Sequence, residues 1–508
     1  MNDEVKTGTS IFSDSNVKDV IEEAKNEIKE LYLSDKTPWV IGYSGGKDST
    51  AVLQLVWLAI SDLPEKKRKK PIYVLTSDTL VENPIVAQWV NSSLKRVELA
   101  AKEQKMPMSP TLVSPAVSES FWVNLIGKGY PAPRYKFRWC TERLKIQPSN
   151  RFIQNIANNH GEVILLLGTR RAESEVRQAR MKKRKRFGNS NLTRHDQLVN
   201  TFIYMPVEFW NNDDIWTFLM QFKNPWEHRN KDLLSMYRGA TDDNECPVVV
   251  DTSTPSCGSS RFGCWTCTLV GQDKSMSAMV SNDAEKEWMR PLLNFRNLLD
   301  FRGDEAKERD RSRRDFKRLG GYLSHYMDHD GEMQLTPGPY KQDARGDLLR
   351  RLLSAQKEIQ DNPKLPEELS GIEIIKIEEL EEIRRIWLTE KHEIEDLLPR
   401  IYFEVFEKEF PGADTQSSAL FDQETSEMLQ KSCEDDQLLY EVTRNLISLE
   451  MKYKNQQSRR GIYKEIDKTI AQGFFDNAED AKSWKKRQLM IKESKAGELL
   501  KIMEESDS

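Results

Sequence analysis

The chain has 508 residues, 31% of them charged, and a formal net charge of −5, so it has ample length for a large core and for roughly two to four domains. So small a net charge excludes a global basic field, and any nucleic-acid partner must be met by a local patch. The polar, acidic stretch 1–16 has no apolar signal-like run, and nothing approaches the ~18 apolar residues of a membrane span, so a soluble cytoplasmic protein without a membrane partner is expected.

An amphipathic helix is expected over Val17 to Leu33, within a first segment 1–34. Next, the apolar run Trp39-Val40-Ile41-Gly42 passes directly into Tyr43-Ser44-Gly45-Gly46-Lys47-Asp48-Ser49-Thr50 and then into the helix-like Ala51 to Leu58. A strand, a glycine turn and a helix start therefore meet. The first amides of a helix have no intrahelical partner and carry partial positive charge, and glycines let a backbone approach an oxyanion closely, so phosphate is the expected guest. The common P-loop pattern would need glycine at Ile41 and a hydroxyl at Asp48, which disfavours hydrolysis of a terminal phosphate.

Further along, Ile72–Thr76 and Val163–Leu167 are β-rich runs separated by helical patterns such as Ser49–Ala59 and Val86–Gln104. Alternating β and α predict an α/β fold with a doubly wound parallel sheet over 35–225. Ligands of such sheets sit at the carboxyl ends of the strands, where Ser44–Ser49, Ser77-Asp78-Thr79 and Gly168-Thr169-Arg170-Arg171 all fall. The densest basic run, Arg177 to Gly188 with Arg180, Lys182, Lys183, Arg184, Lys185 and Arg186, follows the last of these loops and is the candidate nucleic-acid-binding element.

Six cysteines are too few for a disulfide framework. Cys246, Cys257, Cys264 and Cys267 lie in a turn-rich segment, 226–275, as a candidate set of four metal-ligating thiolates for iron–sulfur or zinc. Cys433 reads as a packing residue. From about Ser275 the chain becomes helical and highly charged, notably over Ile372–Phe406 and Leu438–Lys468, and the region 276–508 reads as a packing or partner-docking surface.

Three more motifs agree with the first. Gly168-Thr169-Arg170-Arg171-Ala172-Glu173-Ser174-Glu175-Val176-Arg177 resembles the G-x-R-x-x-E-S-x-x-R element of the PAPS reductase family, within the ATP pyrophosphatase (PP-loop) superfamily. Met205 to Trp216 resembles its P-L-x-x-W-x-x-x-D-V-W stretch, and Arg138-Trp139-Cys140-Thr141-Glu142-Arg143-Leu144-Lys145 matches another family segment. The cysteine-rich segment and the long charged extension make the chain similar to the DndC-type sulfurtransferases of bacterial DNA phosphorothioation.

This resemblance implies an adenine nucleotide alpha hydrolase-like fold and an enzyme that uses ATP to adenylylate a DNA backbone phosphate, with pyrophosphate release, so that sulfur replaces a non-bridging oxygen. It implies ATP contacts from Tyr43 to Thr50, Ser77, Asp78 and Gly168, with Lys47 offsetting phosphate charge and Asp48 positioning Mg²⁺ or capping the helix. Arg170, Arg171 and Arg177 are expected on phosphate, with Glu173 or Glu175 orienting a guanidinium. It favours a [4Fe-4S] cluster over Zn²⁺ on Cys246, Cys257, Cys264 and Cys267. By the same resemblance Cys140 is expected as a sulfur carrier or as a ligand in place of Cys246. Implied partners are DNA, a cysteine desulfurase and the ATPase-like and DNA-binding subunits of a phosphorothioation complex. The alternatives are a PAPS or APS reductase, disfavoured because no cysteine follows Cys433, a nucleotide-binding scaffold, and tRNA base thiolation.

Overall fold

The structure, a computed structural model, describes residues 10–12, 16–173, 191–240, 263–393, 395–412, 423–433, 436–454, 459–472 and 475–506. It divides into two compact units. The first takes the chain up to Phe121, Pro133–Leu298 and Asn362–Glu367, and the second takes Trp122–Ala132, Leu299–Asp361 and the residues from Glu368 onward.

The first unit is built on a six-stranded sheet. Its strands are β1 (Trp39–Gly42), β2 (Ile72–Ser77), β3 (Met108–Val113), β4 (Val163–Leu166), β5 (Thr193–Arg194) and β6 (Thr201–Tyr204), in the spatial order β3-β2-β1-β4-β6-β5. All neighbours run parallel except the short edge pair β5–β6. Ile41 stands opposite Val74 on one side and Leu166 on the other, so β1 is hydrogen-bonded on both edges.

Both sheet faces are covered, as a parallel sheet with crossover helices requires. Trp39, Ile41, Ile72, Val74, Ile164 and Leu166 join one core with α1 (Val17–Ser34), α2 (Lys47–Ser61) and α3 (Pro84–Glu103). On the opposite face, Val40, Leu75, Val163 and Leu165 pack with Ile153, Ile156 and Ala157 of α4 (Gln147–His160). The doubly wound α/β sheet expected from the sequence is therefore present, with its predicted strands and helices within two or three residues of their observed ends.

Three strands, β3, the two-residue β5 and β6, carried no clear signal. Strand β3 contains Ser109 and Pro110 and sits at the sheet edge, where a missing N–H is tolerated, and β6 has only four residues. Three helices complete the part of this unit that matters below: α5 (Asn212–Gln221), α6 (Asn230–Gly239) and α7 (Lys274–Asn282), followed by α8 (Arg290–Leu299).

The second unit is mostly helical. It contains α9 (Asp304–Ser312), a hairpin of β7 (His325–Met327) and β8 (Met333–Leu335), then α10 (Gln342–Gln360), α11 (Ile377–Thr389), α12 (Leu397–Phe406), α13 (Gln423–Ser432), α14 (Gln437–Lys454), α15 (Ile462–Gln472) and α16 (Ala478–Ser506). A π-helical turn over Val123–Gly127 packs on α11, and two tryptophans pin it there. Trp122 Nε1 donates to Ile374 O at 2.8 Å, and Trp387 Nε1 donates to Ile126 O at 3.1 Å.

The periodic stretches Ile372–Phe406 and Leu438–Lys468 each form two helices. The first breaks where His392 and Asp396 adopt positive φ, and in the second Gly461, at φ +93°, directly precedes α15. No helix among the described residues is long and apolar enough to cross a membrane.

The family-like stretch around Asp214 is a helix start. The Asp214 carboxylate accepts the Asn211 backbone N–H on Oδ2 at 2.8 Å, while Asn211 Oδ1 accepts the Asp214 backbone N–H at 2.8 Å, a reciprocal capping box on α5. Asp214 is buried and also accepts from Ser10 Oγ at 2.5 Å. Asn211→Ala is expected to cost about 1 kcal/mol, read as a lowered midpoint of urea unfolding followed by tryptophan fluorescence.

Candidate active site

The turn between β1 and α2 has the shape its glycines allow. Gly45 sits at φ +72°, and a Cβ there would come within 2.4 Å of Val90 Cγ2, so both conformation and space demand glycine. Gly46 is the N-cap of α2 and offers no side-chain cap, which leaves the first amides of the helix to another acceptor.

Ser49 folds the turn back on itself. Its Oγ accepts from Ser44 N at 3.1 Å, lies 3.1 Å from Ser44 Oγ and donates to Gly46 O at 3.0 Å. Trp89 Nε1 donates to Gly45 O at 3.1 Å from α3, and Tyr43 shares a hydrogen bond with Ser93 at 2.6 Å.

Across the sheet edge, the loop after β4 locks onto the start of α2. Buried Arg170 donates through Nε to Asp48 Oδ1 at 2.7 Å, and Lys47 Nζ reaches Asp48 Oδ2 at 3.2 Å. Both oxygens of Asp48 thus face cations, which fits a carboxylate that orients them better than one that ligates Mg²⁺. Gly168 makes the approach possible, because a Cβ there would meet the Asp48 carbonyl carbon and oxygen at 2.9 Å. Arg171 turns to Glu208 instead, donating through Nε to Oε1 at 2.7 Å with its guanidinium over the Phe209 ring. Glu173 ends the short turn Arg171–Glu173, and Glu175, Arg177 and the basic run through Arg186 lie outside the described residues.

The third loop, after β2, serves two neighbours. At its start Ser77 Oγ meets Ser149 Oγ at 2.7 Å, and Asp78 Oδ1 accepts from Leu80 N at 2.8 Å, closing a turn with Leu80 at φ +64°. Two residues on, Thr79 Oγ1 donates to Glu82 Oε1 at 3.0 Å and lies 3.3 Å from Cys264 Sγ. The backbone follows suit: Trp265 N donates to Val81 O at 3.0 Å, and Glu82 and Cys264 form an antiparallel bridge.

Cys140, Cys264 and Cys267 occupy one neighbourhood, close enough for their charges to be felt by one another. Cys140 follows buried Trp139, which stacks on Phe121, and precedes a π-helical turn, Thr141–Ile146. That turn carries Lys145 to Glu82 Oε1 at 3.2 Å. Burial, reinforced by the Glu82 carboxylate and partly offset by Lys145, pushes the Cys264 thiol up to about 12. Burial raises Cys140 as well. For Lys145, burial alone would lower the ammonium, but Cys264 and Glu82 outweigh it and raise it.

Buried Arg296 of α8 fastens the far side of this turn, donating to the carbonyls of Cys267 at 3.0 Å, Gly271 at 3.2 Å and Val270. Cys246 and Cys257 lie outside the described residues, and Cys433 is buried in the second unit. Among the described residues no three His, Cys, Asp or Glu side chains converge tightly enough to hold a metal ion. The donor chemistry nonetheless suits a thiolate-bound centre, since a cation would remove the cost of a buried thiolate at Cys264.

Sequence reasoning passed over Tyr237, Trp89, Thr79, Glu82, Lys145 and Arg296 as site residues. Lys145 stands in the Arg138 to Lys145 motif and Thr79 in the loop Ser77-Asp78-Thr79, and the others reach the site from helices and loops outside the motifs.

Residues 38–269 match the family model of the phosphoadenosine phosphosulfate reductase domain, a span that holds the glycine turn, Arg170, Cys140, Cys264 and Cys267. The chain is 28% identical over 199 residues to an uncharacterized protein of Methanocaldococcus jannaschii, which covers 39% of this chain and 35% of that protein. The match thus spans about a third of that relative's length. Similar solved structures include a PAPS reductase from Candida auris in a phosphate complex, with 12% identity, 42% of this chain, 88% of that one and a TM-score of 0.26. They also include a tRNA thiolase from Methanococcus maripaludis with its [4Fe-4S] cluster, with 12% identity, 56% of this chain, 80% of that one and a TM-score of 0.27. Likenesses of this degree leave the site's chemistry to its own residues.

With its thiol pushed up to about 12, Cys264 in reduced, metal-free protein is almost wholly protonated at pH 8. Iodoacetamide should therefore label it on the order of a thousand times more slowly than an ordinary exposed cysteine, with a rate rising about tenfold per pH unit until the pKa is reached. Glu82→Gln removes one of the raising charges and should speed labelling, as read by peptide mass spectrometry. Gly168→Ala forces the first turn of α2 away from the β4 loop and should destabilise the first unit by about 1–3 kcal/mol, measurable by chemical denaturation.

Proposed function

We propose that the protein is an ATP-dependent sulfurtransferase that splits ATP between its α- and β-phosphates and acts on DNA backbone phosphate. The observation that carries this reading is the loop after β2. Where β2 passes into it, Thr76 Oγ1 donates to Tyr43 O at 2.8 Å, next to the glycine turn at the carboxyl edge of the sheet, and Thr79 and Glu82 touch Cys264. Nucleotide chemistry and sulfur chemistry thereby share one loop.

A non-bridging phosphate oxygen is a poor leaving group, and adenylylation converts it into one that departs as AMP. In the first step that oxygen attacks the α-phosphorus of ATP, the bond to the bridging oxygen breaks, and pyrophosphate leaves. The amides at the start of α2 receive the departing charge, and Lys47 and Arg170, both already aligned on Asp48, stand by as fixed cations. The outer sulfur of a cysteine desulfurase's persulfide then attacks the activated phosphorus and AMP leaves, giving a P–S–S–Cys linkage; a thiol reductant attacks the cysteine sulfur of that linkage, forming a disulfide with it and releasing the phosphorothioate. An iron–sulfur centre of the [4Fe-4S] type would be held by Cys257, Cys264 and Cys267 with Cys246 or Cys140 as the fourth thiolate, and when bound it would supply an electron-storing centre.

DNA as acceptor, the basic run Arg180 to Arg186 as its contact, and ATPase-like and DNA-binding subunits as partners in a cytoplasmic complex belong to this proposal on the strength of the sequence motifs. The test is mass spectrometry of phosphorothioate dinucleotides in genomic DNA from cells carrying the protein with its partners. The modification should be present with the wild-type chain and lost with Cys264→Ser or Asp48→Ala. Sulfur content that is the same with both variants as with wild type refutes the reading.

A further inference from the structure

The glycine turn has a close neighbour that no motif includes. Tyr237 of α6 brings its phenolic oxygen within 3.4 Å of the Lys47 amide nitrogen, the first helical N–H of α2. That separation is longer than a good N–H···O bond, which clusters near 2.9–3.0 Å. At that separation an oxygen about 2.8 Å from each atom would fit between them.

The surroundings suit an anionic oxygen. Gly46 leaves the approach open on this side, because a Cβ there would lie 3.2 Å from the Tyr237 hydroxyl and 3.6 Å from Ser44 Oγ. The Lys47 ammonium stands over the phenol ring, 5.5 Å from its centroid. An edge-on contact with Trp216, 5.3 Å between centroids, sets the ring's direction. Burial, helped by the nearby Asp48 charge, raises the Tyr237 pKa, so the phenol keeps its proton and remains a donor.

We propose that Tyr237 is a phosphate-binding side chain, its O–H and the Lys47 N–H converging on one oxygen of the pyrophosphate group. This rests on the nucleotide reading above and adds to it a neutral, oriented donor from α6. Without ligand the phenol oxygen accepts weakly from the Lys47 amide. With pyrophosphate present, the amide and the phenol both turn to the same oxygen, and the phenol changes from acceptor to donor.

The test is isothermal titration of the full-length chain with magnesium pyrophosphate, comparing wild type with Tyr237→Phe. Phenylalanine keeps the ring and its contact with Trp216, so the ligand-free thermal midpoint should stay within a degree or two of wild type. Loss of one hydrogen bond to a charged oxygen should weaken pyrophosphate binding by about tenfold or more, and the ligand-induced rise in the midpoint should shrink accordingly. Equal or tighter binding by Tyr237→Phe overturns the assignment while leaving the nucleotide reading intact. A ligand-free midpoint that falls together with the affinity also overturns it, because the residue is then structural. If wild type itself binds no pyrophosphate, the nucleotide reading falls and this inference falls with it.

Discussion

Strand β1 is hydrogen-bonded in parallel to β2 on one edge and to β4 on the other, and nearly everything about the candidate site follows from that. Parallel pairing brings the carboxyl ends of three strands to one edge of the sheet. The glycine turn, the Ser77–Glu82 loop and the Gly168–Arg171 loop therefore meet although more than a hundred residues separate the first from the last. The alternation of Trp39 and Ile41 to one face and Val40 to the other buries the strand on both sides, so a register slip would expose its core residues.

At that edge, close backbone approach and charge balance depend on each other. Gly168 lets the β4 loop touch the first turn of α2, and the contact is what brings Arg170 to Asp48. Arg170 is almost fully buried, and a buried guanidinium is stable only with its partner in place. The ion pair therefore holds two loops together and keeps a cation at the mouth of a helix N-terminus, where a polyphosphate is attracted most strongly.

The thiol side obeys a different logic. Cys264 lies beside a carboxylate and a lysine, away from bulk water, so its proton is held tightly until a cation or an electrophile changes the balance. Arg296 fixes the backbone of the Cys264–Cys267 turn through carbonyl groups, so the turn's geometry is set independently of what its sulfurs bind. The pairing of Val81 and Glu82 with Cys264 and Trp265 then ties that turn to the loop after β2.

What the chain's order of residues determined alone is local: the strand–glycine–helix junction at 39–58 and the alternation of β and α through Leu167. Each depends on backbone conformation or side-chain character within a few residues, and each left a readable pattern. The edge strand β3 and the breaks after α11 and before α15 escaped it, because an edge strand tolerates Ser109 and Pro110 and a helix pattern does not register a positive φ at His392 or Asp396. Only the tertiary structure decided that Arg170 faces Asp48 while Arg171 faces Glu208, that Tyr237 stands over the first amide of α2, and that Lys145, Glu82 and Arg296 surround the cysteines. The physical reason is that these contacts join segments distant along the chain. Their partners are chosen by sheet order and helix packing, which no short window of residues encodes.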